Sequence, residues 1–208
     1  MGGSIGILAY GSLITDPGAE LEDVITERRT GVRTPFPVEF ARTSRGRSGA
    51  PTLVPVAVGG AQVEAMILLL GGTTLDKAMD MLYRREIGKV GDPRVRYRPD
   101  RDKPNQVFVE VISDFHGVDN LLYTRIAANI DDPSPETLAR LAISSAREEA
   151  GARGRDGISY LRDVQAAGIE TPLSGPYAEE ILRVTGTEDL DGAWRKARGL
   201  LEEMEEGP

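Results

Sequence analysis

The chain contains no cysteine and a single histidine, His116. Without cysteine there is no disulfide staple, no thiolate nucleophile and no Cys-based zinc or iron–sulfur site. With one histidine, a site that needs two His ligands is excluded, and a Ser-His-Asp triad would have to use His116. Basic side chains are the minority charge, 25 against 33 acidic ones, for a net charge of −8. That balance argues against a nucleic-acid binder, whose affinity comes mainly from phosphate neutralisation. Long apolar runs are missing as well. Ile5–Tyr10 is too short for a signal-peptide core and lacks a basic flank, and nothing approaches the roughly 18 apolar residues of a bilayer span. These absences predict a cytoplasmic protein with no membrane and no nucleic-acid partner. Chemistry is left to carboxylates, hydroxyls, backbone amides or the substrate itself.

A length of 208 residues predicts one domain, two at most. Hydrophobic residues at 40% and charged residues at 28% are in the range of folded globular chains. Ser4–Tyr10 reads as a buried strand, turned by Gly11-Ser12-Leu13. Asp16-Pro17 opens a helix to about Arg29. Pro35–Arg42 and Thr52–Val58 read as strands, the second demoted to an edge by Pro55. Gly59-Gly60 then predicts a hairpin into Gln62–Leu70. Thr73-Thr74 caps a helix over Leu75–Arg85 that stops near Gly88. Arg94–Arg98, Gln106–Ile112 and Leu121–Ile130 follow as strands.

After Asp131 the pattern turns helical. Helices are predicted from Pro135 to about Gly151, over Gly157–Gly168, over Ser174–Thr185 and over Asp189–Met204. Trp194, Ala197, Leu200, Leu201 and Met204 read as a packing face. The expected fold is α+β, a small mixed β-barrel flanked by helices, with a body over residues 1–130. Residues 131–208 form a helical C-terminal extension packed on the same domain.

Three features can carry chemistry. On the helix Leu75–Arg85 the apolar stripe is Leu75, Met79 and Leu82, and Glu86 continues it. A carboxylate in that phase is paired or put to work. Arg84, Arg85 and Arg94–Arg98 are near enough to pair it, and a helix-end Glu–Arg pair is the commoner outcome. The turn at Tyr10–Leu13 exposes consecutive backbone N–H groups, which can form an anion site or a plain β-turn. Arg28, Arg29, Arg33, Arg42, Arg45 and Arg47 could bind a carboxylate or phosphate, and more often form a solvated face. No aromatic stacking motif is interleaved with them. His116, in Asp-Phe-His-Gly-Val-Asp, reads as a turn residue.

Taken in order, these pieces resemble the γ-glutamylcyclotransferase-like superfamily, in its ChaC-type or AIG2-like branch. Tyr10-Gly11-Ser12-Leu13 resembles the family's Tyr-Gly-Ser-Asn/Leu substrate loop. Arg45-Gly46 and Thr52–Val58 resemble the Arg-Gly segment and strand that follow. Residues 60–70 resemble its G-x-x-V-x-G-x-L-Y-x-L strand. Leu82–Glu86 resembles the helix-end L-D-x-x-E motif, and Tyr97 with Gln106–Ile112 the segment after it. Gly157–Leu161 and Gly168-Ile169 are similar to the C-terminal motif of the ChaC-type branch. Ala65 stands where the family commonly has glycine, Tyr83 where it has aspartate, and Leu13 where it has asparagine.

The resemblance implies a cofactor-free enzyme with no metal. In it, the substrate's own α-amine attacks its γ-carbonyl and releases 5-oxoproline and an amine. Glu86 then takes the catalytic role. The backbone of Tyr10, Gly11, Ser12 and Leu13 holds the α-carboxylate or the oxyanion, and Tyr97 closes the pocket. The implied partner is a small γ-glutamyl compound, and a homodimer is left open. Two alternatives stand beside this: a non-catalytic carboxylate-metabolite binder of the same fold, and an accessory domain of an amidase or allophanate-hydrolase-type system. An Arg pair on Glu86 favours the binder, and an open carboxylate the enzyme.

Overall fold

The computed structural model describes residues 3–100, 102, 103 and 105–200. They are mixed α and β, in two compact units that the chain enters alternately. The first unit is Met1–Pro35 with Val63–Ala127, and the second is Phe36–Gln62 with Ala128–Pro208. The chain crosses between them after residues 35, 62 and 127, and residues 36–62 group with the helical part. Among the described residues no helix is long and apolar enough to cross a membrane.

The first unit holds a five-stranded sheet in the order β2-β5-β1-β7-β6. These are β1 (Ile5–Ala9), β2 (Ile25–Arg33), β5 (Glu64–Leu70), β6 (Phe108–Phe115) and β7 (Val118–Arg125). β1 is central, antiparallel to β5 and parallel to β7. A central strand covered on both faces needs a continuous apolar run, and Ile7, Leu8 and Ala9 are fully buried. Gly6 fits here because a Cβ would come within 3.2–3.3 Å of Leu121, Ile67 and Val118. The hairpin β6–β7 turns on His116 and Gly117, both with positive φ, as a two-residue hairpin turn requires.

Ser4–Tyr10, Gln62–Leu70 and Gln106–Ile112 do share this sheet, but it does not close. β2 and β6 are its two edges, so the expected barrel is not formed among the described residues. β2 also replaces most of the helix predicted after Pro17. Only Ala19–Glu22 is helical, as α1. Val24, Ile25, Thr26, Thr30 and Val32 are β-branched, and pairing with β5 overrides the local helix signal. The strand carries Glu27, Arg28 and Arg29 and two register shifts, which blunt an exposed edge.

Helix α2 (Leu75–Glu86) is capped by Thr74, whose side chain accepts from the Lys77 N–H. Ala78 and Leu82 join Ile7, Leu13, Leu68, Val109 and Leu122 in the core. Leu75, Met79 and Tyr83 pack at its margin.

In the second unit β3 (Val38–Ser44) and β4 (Ala50–Pro55) form an antiparallel pair. The hairpin predicted between residues 52–58 and 62–70 is absent, because β4 pairs with β3 while β5 joins the other sheet. Gly60, at φ +70°, explains the detour. Its backbone runs so close to Val38 that a Cβ would lie 2.4 Å from the Val38 carbonyl oxygen. Val38 and Ala61 then exchange both backbone hydrogen bonds, at 2.9 and 3.1 Å.

The helices of this unit are α3 (Pro135–Arg147), α4 (Glu149–Ala152), α5 (Gly157–Ala166), α6 (Ser174–Thr185) and α7 (Leu190–Ala197). The single helix predicted from Pro135 to Gly151 is broken at Glu148, which has extended backbone. The helix predicted over Asp189–Met204 ends at Ala197. Leu201 and Met204 lie outside the described residues. Phe40 packs edge-on against Tyr160 and Tyr177, with ring centroids 6.3 and 5.3 Å away. Glu39, buried beside it, accepts from the Phe40 N–H (2.8 Å), the Thr171 hydroxyl (2.5 Å) and the Leu173 N–H at the start of α6 (3.3 Å).

Candidate functional site

The loop that closes β1 and the end of α2 both belong to the first unit, and one side chain ties them together. Gly11–Leu13 is a single 3-10 turn, with Gly11 at φ +59°. The turn gives the Ile14 N–H to the Gly11 carbonyl at 3.2 Å and the Asp16 N–H to that of Ser12 at 3.0 Å. The Leu13 side chain is buried in the core. The Tyr10 hydroxyl donates to the Thr124 carbonyl at 3.3 Å.

Arg85 makes the tie. From Nη2 it donates to the Ser12 hydroxyl at 3.1 Å and to the Asp16 carbonyl at 2.6 Å, and from Nε to the same carbonyl at 3.0 Å. From Nη1 it donates to Glu86 Oε1 at 2.7 Å. Side-chain exposure is 14% for Arg85 and 21% for Glu86, so the pair reaches the surface but is mostly covered. The structure thus brings Ser12 and Glu86 to one guanidinium. It also places Glu86 in the ion pair that the sequence offered as the commoner outcome.

Tyr97 is positioned differently. Its hydroxyl accepts from the Val109 N–H (2.9 Å) and donates to the Val109 carbonyl (3.2 Å). Its ring lies 5.4 Å from that of Tyr83, one helical turn before Glu86. Arg94–Arg98 forms no strand; Arg94 lies in a turn and residues 95–98 pair with no neighbouring strand. Side chains of α2 take its backbone groups instead. Asp80 accepts the Tyr97 N–H at 2.7 Å, and Arg84 donates to the Val95 carbonyl at 2.9 Å.

Asp80 was not singled out from the sequence, and Arg84 was named only as a partner for Glu86, yet both are buried charges on α2. Arg84 forks onto both oxygens of Glu20 at 2.8 and 2.9 Å, and Arg96 pairs with Asp80 at 2.7 Å. The hydrogen bond from Arg84 holds the Glu20 carboxyl below its ordinary pKa, with the Gly91 N–H adding to it against the cost of burial. Burial pushes Asp80 up, but Arg96, the Tyr97 N–H and Arg84 together bring it below its ordinary value. The available signal was spacing: Asp80 and Arg84 stand four apart, with Lys77, on the helix side opposite Leu82. A surface cavity of about 280 Å³ is lined by Thr73, Lys77, Asp80, Met81, Arg84 and Arg96. In the second unit a cavity of about 350 Å³ is lined by Ser159, Arg162, Asp191, Trp194 and Arg195. Neither includes Tyr10–Leu13, Glu86 or Tyr97. Among the described residues no three Asp, Glu or His side chains gather as metal ligands.

Compared with protein-family models and with curated proteins, the chain matches none.

Proposed function

We propose that the chain is a cytoplasmic γ-glutamylcyclotransferase-like enzyme that cleaves a small γ-glutamyl amide or peptide by internal cyclisation. The open five-stranded sheet is then this chain's version of the family's β-barrel. The observation that carries the reading is the convergence of Ser12 and Glu86 on Arg85, which joins the loop after β1 to the last residue of α2.

In the reaction, Glu86 takes a proton from the substrate's α-ammonium. The freed amine attacks the γ-carbonyl carbon and a five-membered ring closes. The amides of Gly11 and Ser12 stabilise the oxyanion. The C–N bond to the leaving amine then breaks as Glu86 returns the proton to that nitrogen, and the ring nitrogen gives up its second proton to solvent. Water is not consumed, and the products are 5-oxoproline and the free amine. Because attack is intramolecular, no protein nucleophile is needed. The test is a screen of γ-glutamyl amides and peptides for 5-oxoproline release.

One observation favours a second reading. The Arg85–Glu86 pair occupies the carboxylate that the mechanism requires. If the pair persists with ligand bound, the fold serves as a non-catalytic binder of a carboxylate metabolite. Binding of γ-glutamyl compounds with no 5-oxoproline release separates this from the enzyme.

A further inference from the structure

Arg85 gives four hydrogen bonds to three partners: the Asp16 carbonyl, the Ser12 hydroxyl and Glu86. Such a guanidinium is more than a helix-surface ion. Adjacent helical residues diverge by about 100°, so nothing in the helix itself requires Arg85 and Glu86 to meet. The loop is also shaped around this side chain. Gly18 sits at φ +83°, where a Cβ would come 3.2 Å from Arg85 Cγ.

Bonds to Asp16 and Ser12 take Nε and Nη2, so the pair presents the Nη1 amino group and a carboxylate side by side. An α-amino-acid head group carries the same two charges in the opposite sense, a carboxylate and an ammonium on one carbon. A guanidinium stays charged and donates from Nη1 to a carboxylate while its other nitrogens remain tied to the loop. We propose that Arg85 reads the α-carboxylate of the substrate, and that the Arg85–Glu86 ion pair is an internal occupant exchanged for that head group. On exchange the substrate carboxylate takes Arg85 and its ammonium takes Glu86. Each charge keeps a partner, and Glu86 is delivered to the amine it must deprotonate. The requirement is for a free α-amino-acid head, so a γ-glutamyl compound with a blocked α-carboxylate is rejected. The location rests on the proposed function, whereas the charge exchange is a binding property and needs no turnover.

The test is calorimetric titration of the full chain with L-glutamine, with its α-carboxamide, and with the analogue lacking the α-amine. L-Glutamine is expected to bind at least tenfold more tightly than either analogue. In Arg85→Gln the difference between glutamine and its carboxamide is expected to vanish, and in Arg85→Lys part of it survives. Equal binding of glutamine and its carboxamide by the unaltered protein overturns the proposal, as does no glutamine binding or full discrimination in Arg85→Gln. The ligand comparison needs no variant, so a poorly folded Arg85→Gln does not blunt it. Discrimination without 5-oxoproline release would reject the enzymatic reading and keep this one. Release without discrimination would do the reverse.

Discussion

The carboxylate of Asp80 holds the backbone N–H of Tyr97 at 2.7 Å. A helix side chain thereby does what a neighbouring strand would otherwise do for this segment. The same carboxylate takes Arg96 at 2.7 Å, and Arg84, one turn further along α2, takes the Val95 carbonyl. Residues 95–97 are thus fixed by three polar contacts to one helix. This sets the Tyr97 ring against Tyr83, one turn before Glu86.

That anchoring gives stability an acid limb. Asp80 and Glu20 both titrate below their ordinary values when folded. Their contribution is therefore complete above the unfolded pKa values and is lost as pH falls through the lowered ones. Thermal melting between pH 6 and pH 2 is expected to show a steep acid loss. Asp80→Asn is expected to lower the melting temperature at pH 6 and to flatten that loss. An acid limb identical to that of the unaltered protein would mean that Asp80 contributes nothing by its charge.

Two neighbouring glycines provide an internal control for the second unit. Gly59 and Gly60 have nearly the same φ, +72° and +70°, but only at Gly60 does a Cβ strike backbone. Gly59→Ala should cost about 1 kcal/mol, the conformational penalty alone. Gly60→Ala should cost more than about 2 kcal/mol, because the Val38–Ala61 contact must also open. Chemical denaturation of both variants checks the ordering, and equal costs would contradict the close approach.

Glu39 is expected to matter for α6 rather than for any ligand. Its carboxylate satisfies the Leu173 N–H and the Thr171 hydroxyl. Glu39→Ala leaves both without that partner and should destabilise by about 2–4 kcal/mol, the cost of buried donors losing their acceptor. Glu39→Gln keeps one acceptor and should cost less. Hydrogen exchange at the first turn of α6 should quicken most in the alanine variant.

Much of the architecture was legible in local pattern. β1 is a short apolar run between glycines, α2 has a Thr cap and an apolar stripe, and Ser174–Thr185 is helical at the bounds that its periodicity marks. The failures share a cause, pairing between distant segments. Ile25–Arg33 reads as the tail of a helix until β5 lies beside it. Gly59-Gly60 reads as a hairpin turn until Val38 claims Ala61. Arg94–Arg98 reads as a strand because nothing local reveals that α2 will bind its backbone. At the site, the phase of Glu86 and an Arg partner for it were readable. The reach of Arg85 to Ser12 and Asp16 was not, because 69 residues separate Arg85 from Asp16.

The central claim is that Glu86 carries the proton in a cyclisation that releases 5-oxoproline. The most direct measurement is 5-oxoproline release by the unaltered protein and by Glu86→Gln across a panel of γ-glutamyl amides and peptides, with a melting curve for each protein. Gln can still accept from Arg85, so the loss of stability should stay under about 3 kcal/mol, the upper worth of a hydrogen bond to a charged group. Turnover of at least one compound is expected for the unaltered protein, falling by roughly 10²–10⁴-fold in Glu86→Gln, the usual contribution of a positioned general acid–base. Turnover retained in a folded Glu86→Gln, or no release from any compound by the unaltered protein, would contradict the account.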